Sequence, residues 1–239
     1  MLGVLVQCAA CSFNLELRKD LEFFPLCSNC ASSFISCPPL CRHCSSPLCS
    51  PPSCLRPWAT SPSIHSYSGR YLLLGNSYTV LKKWKIRRGT LFDRQVLKTT
   101  PKLISQWQSF SAECVIPIPQ HFHRAWRMKG SPAEIISQWV AFQLNLPVLR
   151  AIELSSEPLQ RQAELNLVQR LQNKNRFRID RQSLRKIKRV ILVDDFMTTG
   201  RTLKQASYAL LHAGVEEVHT FCLGVKVLRL YTERSSDLL

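Results

Sequence analysis

Four apolar residues, Val190 to Val193, lead into two acids and a polar bend, after which the apolar positions change period. A short β-branched run of this kind suits a strand buried on both faces of a parallel sheet. Beyond Gly200, the residues Leu203, Ala206, Leu210 and Ala213 recur at helical intervals and predict an amphipathic helix, with Gly214 at its C-terminal stop. Val215 to Val225 turns apolar again and reads as the next strand, which completes a βαβ unit. No stretch reaches the roughly 18 consecutive apolar residues that a membrane span requires. Met1 to Cys11 is mildly apolar, but it lacks a basic start and cysteines interrupt it. No signal peptide is expected, and cytoplasmic residence is the corresponding expectation.

The polar bend carries the chemistry. Asp194 and Asp195 end the apolar run, and two carboxylates there are costly to bury unless they meet hydroxyls or cations. Thr198-Thr199-Gly200-Arg201-Thr202 then aligns backbone N–H groups and hydroxyls at a helix N-terminus, an arrangement that cradles phosphate. Acids beside a phosphate cradle suit a ribose 5-phosphate, with its diol on the acids and its phosphate on the bend.

The other end of the chain has a different composition. Nine of the 11 cysteines fall within the first 54 residues, and Cys8-x-x-Cys11 and Cys27-x-x-Cys30 are separated by 15 residues. That spacing is a zinc-ribbon pattern, because each Cys-x-x-Cys turn aims two thiolates at one tetrahedral metal. A reducing compartment disfavours the disulfide alternative. Cys41, Cys44, Cys49 and Cys54 form a second set that could hold another zinc, and the two sets could also interleave. With every ligand a cysteine, such a site stabilises a head too small to bury its own core and leaves no position open for water. Cys37, Cys114 and Cys222 are left over, and His43 is a bystander between better-placed donors. The Pro- and Ser-rich stretch from Cys37 to Pro62 reads as the end of the head and a stiff connection. The expected division is a zinc-ribbon module over 1–57 and an α/β domain over 58–239, within the size range of a two-domain chain of 239 residues.

Charge follows the same division. The chain has 32 Lys and Arg against 16 Asp and Glu, and residues 58–239 hold 28 of the bases and 13 of the acids. An excess of this size points to anionic partners, either phosphate groups or nucleic acid. Trp84, Trp107 and Trp126 are candidate stacking residues for single-stranded DNA.

The segment Val190 to Thr202 resembles the binding motif for phosphoribosyl pyrophosphate (PRPP) of type I phosphoribosyltransferases. A four-cysteine head joined to that motif resembles the ComF family, and further segments match it. They are Trp84-Lys85, the Val115-Ile116-Pro117-Ile118-Pro119 strand, and the basic loop His121-x-His123-Arg124-x-x-Arg127-x-Lys129-Gly130. Gln162-Ala163 with Leu165, Arg170, Asn173 and Phe177 matches as well. Ser131-Pro132-Ala133-Glu134 stands where the family continues with Phe-Asn-Gln, and Glu164 where it tends to have glycine. The resemblance implies a type I phosphoribosyltransferase-like parallel sheet flanked by helices, with Mg²⁺ accompanying PRPP. It further implies that Asp194 and Asp195 hold the ribose hydroxyls, that Met197, Thr198, Thr199, Gly200, Arg201 and Thr202 wrap the 5-phosphate, and that Lys85, Arg127 and Lys129 face the pyrophosphate. The associated role is DNA uptake in natural transformation, with single-stranded DNA and uptake-machinery proteins as partners. A small-molecule phosphoribosyltransferase and a non-enzymatic PRPP sensor or adaptor are the alternatives.

Overall fold

The computed structural model describes residues 5–8, 11, 14–16, 27–41, 44–47, 49, 64–87, 110–120, 131–154 and 177–226. In chain order the elements are β1 (Leu5–Gln7), β2 (Asn14–Glu16), α1 (Ser28–Ser32), β3 (Ser66–Leu72), α2 (Gly75–Arg87) and β4 (Cys114–Pro117). They continue with α3 (Pro132–Leu144), β5 (Ile152–Leu154), β6 (Phe177–Ile179), β7 (Arg189–Met197), α4 (Arg201–His212) and β8 (Glu217–Val225). The main sheet has four strands in the order β3-β8-β7-β4, every pair parallel. Two small antiparallel pairs, β1-β2 and β5-β6, lie outside it.

Helices cover the sheet on both faces, and β7 shows how its sequence provides for that. Val190 and Leu192 belong to one apolar cluster with Leu203, Ala206 and Leu210 of α4, whereas Ile191 and Val193 belong to another with Leu81 and Trp84 of α2 and with Ile136 and Val140 of α3. Successive residues of a strand face opposite sides, so an uninterrupted apolar run serves both layers at once. Trp84 has no exposed surface. It is therefore a core residue of the α2 layer, and the expectation of a base-stacking role for it is overturned; Trp107 and Trp126 lie outside the described residues.

β3 is the edge of the sheet, and the segment following α1 covers it. Leu72 donates its N–H to the Ile35 carbonyl and Cys37 donates to the Arg70 carbonyl, both at 2.9 Å, around an antiparallel bridge between Ser36 and Tyr71. Pro38 and Pro39 end this pairing, as residues without a donor must. The close approach depends on Gly69, which pairs with Cys222 of β8. A Cβ at Gly69 would collide with Val225 Cγ2 and stand 3.1 Å from Cys37 Sγ. Val225 is β-branched and buried, so it has little room to yield. Gly69→Ala should cost about 1–3 kcal/mol as an overpacking change. Thermal unfolding would register this as a fall of about 2–4 °C per kcal/mol, and an unchanged midpoint would show that the β3-β8 seam can relax.

Candidate functional site

All four parallel strands end on one rim, and in open α/β sheets that rim is where ligands bind. The acids of β7 stand there. Asp195 is buried, and its Oδ2 lies 2.5 Å from Lys85 Nζ on α2; the side chains are 5% and 24% exposed respectively. Gln120, just beyond β4, donates from Nε2 to the same oxygen at 3.4 Å. The Lys85 ammonium also sits over the Phe196 ring, 5.1 Å from its centroid. Asp195 follows the alternation of Ile191 and Val193 toward α2, whereas Asp194 takes the opposite direction, beside Cys222 of β8. Each acid also accepts the N–H of the residue after it, Asp194 Oδ1 from Asp195 at 2.8 Å and Asp195 Oδ1 from Phe196 at 2.6 Å. Burial first, and the neighbouring Asp195 charge second, push the Asp194 carboxyl well above the usual carboxylate range, to about 7.

The bend follows directly. Gly200 is the N-cap of α4 with φ +68°, a left-handed conformation that only glycine adopts without strain. Thr198, Thr199 and Arg201 are exposed, and the Thr199 hydroxyl accepts the Arg201 N–H at 3.4 Å. Among the described residues, the amides of Thr198, Thr199 and Gly200 meet no acceptor. Unpaired N–H groups at the N-terminus of a 12-residue helix concentrate positive potential, which is the condition for holding a phosphate. The bend is open on the threonine side. Its glycine side is closed, since a Cβ at Gly200 would lie 3.4 Å from Ser45 Oγ and 3.6 Å from Met197 Sδ.

Ser45 comes from the cysteine-rich head, where the thiols gather in two groups. Cys8, Cys11, Cys27 and Cys30 hold their sulfurs within 4.8 Å of one another, as do Cys41, Cys44 and Cys49. Four clustered thiols with no other donor fit the soft, tetrahedral preference of zinc. In the first group the Cys27 N–H donates to Cys8 Sγ at 3.4 Å, and Asn76 of α2 donates its side-chain amide to Cys30 Sγ at 3.3 Å. Such amide-to-sulfur bonds orient the thiolates around a bound metal. Burial, then hydrogen bonds that the Cys30 thiol donates to its neighbouring sulfurs, push Cys30 up to about 12, so zinc must displace protons on binding. Cys54 lies outside the described residues. Of the leftover cysteines, Cys114 and Cys222 are buried in the sheet and Cys37 is partly buried beneath β3.

Residues 132–230 match the family model described as the phosphoribosyl transferase domain. Over 232 residues the chain is 29% identical to competence protein F of Haemophilus influenzae, covering 91% of this chain and 96% of that protein. The chain is thus similar to competence protein F over nearly its whole length, and its C-terminal part is similar to phosphoribosyl transferase domains. Among solved structures, one described as the allosteric regulatory enzyme of purine biosynthesis aligns with 54% of the chain at 20% identity and a TM-score of 0.38; the chain spans a quarter of that enzyme's length.

In this chain the rim unites residues that the sequence separates by more than a hundred positions. Lys85, expected on the pyrophosphate side, meets Asp195 directly. Arg127 and Lys129, the histidines His121 and His123, and the segment from Gln162 to Asn173 lie outside the described residues, whereas Phe177 packs into the core from β6. Sequence reasoning missed Gln120 and Ser45. Gln120 carried a signal of sorts, as the first polar residue after the apolar run 114–119 that ends at the rim. Ser45 carried none, because its place depends on a tertiary approach of the head to α4. Among the described residues no helix is long and apolar enough to cross a membrane.

Proposed function

We propose that the chain binds PRPP at this rim and acts in DNA uptake during natural transformation, in the cytoplasm, on incoming single-stranded DNA. The observation that carries the ligand assignment is the juxtaposition of two carboxylates with a row of unpaired amides at the start of α4. In this reading Asp194 and Asp195 accept the ribose 2′- and 3′-hydroxyls, and Met197 to Thr202 surround the 5-phosphate. Lys85, Arg127 and Lys129 meet the pyrophosphate. The hard carboxylate oxygens of the rim fit Mg²⁺, which would supply positive charge to offset that of the pyrophosphate when PRPP is bound. The chain's own residues then have two tasks: to fix the sugar so that C1 faces an incoming nucleophile, and to offset the charge that builds up on the departing pyrophosphate. The head is a structural zinc module over 1–57, and 58–239 is the PRPP-binding domain. The role in DNA uptake is supported by the likeness to competence protein F of Haemophilus influenzae and by the basic excess of 58–239, which suits a phosphate backbone and partners in the uptake machinery.

A second reading is favoured by the phosphoribosyl transferase domain match itself: transfer of the phosphoribosyl group to a small nitrogen nucleophile. Titration calorimetry with PRPP and Mg²⁺, repeated with a single-stranded oligonucleotide, separates the readings. Saturable PRPP binding together with oligonucleotide binding that weakens steeply with added salt is the expected result. Pyrophosphate release on adding a nucleobase or amine would select the second reading. PRPP binding with neither effect would leave a PRPP-sensing adaptor, and a wild-type chain without PRPP heat would overturn the ligand assignment.

A further inference from the structure

The second cysteine group is not remote from the rim. Cys41 is tied to the residues that follow Cys44: the Ser45 N–H donates to the Cys41 carbonyl at 2.8 Å and the Cys41 N–H donates to the Ser46 carbonyl at 3.0 Å. Ser45, directly after Cys44, is held left-handed at φ +57°, which a residue with a side chain adopts only when its surroundings impose it. Its hydroxyl donates to the Cys44 carbonyl at 2.6 Å and is buried against Gly200. Tyr67 closes the same corner, since a Cβ at Gly200 would lie 3.9 Å from Tyr67 Cε1. The phenol oxygen of Tyr67 is buried in this corner without a hydrogen-bond partner among the described residues. The three sulfurs of Cys41, Cys44 and Cys49 lie within 4.8 Å of one another directly beside Ser45 in the chain.

We propose that Cys41, Cys44 and Cys49 bind a zinc ion that fixes the floor of the phosphate bend, so that this metal and the sugar phosphate strengthen each other's binding. The inference rests on the reading of the bend as a phosphate site. Three thiolates on zinc carry a net negative charge and leave one position for a further donor. The metal then cross-links the chain on both sides of Ser45. Ser45 is a positioning residue: it keeps Gly200 in its left-handed conformation and so holds the Thr198, Thr199 and Gly200 amides aligned for the phosphate. Without the metal, the turn that supports Gly200 loses its cross-link and the bend must be ordered at the expense of binding.

Reciprocity makes the coupling measurable from either side. In the full-length protein, metal analysis should find two zinc ions. Competition against a chelator of known affinity should show one of them held about tenfold more tightly when PRPP is saturating, a typical coupling between adjacent sites. Cys49→Ser should lose one zinc and weaken PRPP binding by about the same factor. Should that variant fail to fold, the competition experiment on the unmodified protein decides alone. A single zinc per chain, a second zinc indifferent to PRPP, or undiminished PRPP affinity in a folded Cys49→Ser protein each overturns the coupling. If the unmodified chain binds no PRPP at all, it is the phosphate site that falls, which is a distinguishable result.

Discussion

Asp194→Asn combined with Asp195→Asn is expected to weaken PRPP binding by at least about a hundredfold while the chain stays folded, because two charge-assisted hydrogen bonds to the ribose are lost at about 1.5–3 kcal/mol each. Isothermal titration reads the loss directly, and undiminished affinity would refute the site. Thermal unfolding separates this effect from damage to the fold. Asp194 is held up at about 7 from an ordinary 3.8, so between those values the folded chain binds more protons than the unfolded one, and stability falls as pH rises through that window. Asp194→Asn alone removes the cost and keeps an oxygen for the Asp195 N–H. Its melting temperature should therefore exceed the wild type's at pH 8, with the gain shrinking as pH is lowered toward 4. Asp195→Asn alone should act in the opposite sense, since it strips the partner from a three-quarters-buried Lys85. A gain from Asp194→Asn that did not depend on pH would mean that the charge of Asp194 is not its cause.

Loss of the first zinc site should have the other large effect. Cys30→Ser is expected to remove one zinc per chain and to unfold the head, since structural zinc contributes on the order of 10 kcal/mol to modules of this size. Metal analysis gives the stoichiometry, and limited proteolysis should find new cleavage before residue 64 while the four-stranded sheet stays protected. The consequence should reach α2 as well, because Asn76 near its first turn bonds Cys30 and Lys85 near its last bonds Asp195. Unchanged zinc content in Cys30→Ser would remove that residue from the ligand set.

The βαβ unit was legible in the sequence because it is local: a β-branched run, a Thr- and Gly-rich bend and a helical period follow one another without interruption. The reading stopped β7 at Val193, whereas the strand runs on to Met197. Two acids end an apolar pattern, yet β8 continues to pair alongside them, with Asp194 opposite Cys222 and Met197 opposite Val225. The gathering of four cysteines was legible from spacing alone, since thiolates in that register have one common use. What the sequence hid were approaches between distant segments. Lys85 was recognised as a cation of the site, but its pairing with Asp195 depends on α2 crossing the face on which the odd-numbered residues of β7 emerge. Trp84 carried an aromatic's ambiguity between platform and core, and only the packing of α2 against β7 decides it. Ser45 and Tyr67 had no distinguishing pattern at all, because their importance comes from what stands beside Gly200.

The contact between Lys85 and Asp195 has one more consequence. A cation carried by α2 balances an acid of β7, so helix and strand are tied together across the rim by a single ion pair. Neutralising either member would leave the other charged with little solvent to screen it, which makes the pair a joint that is costly to open from one side alone.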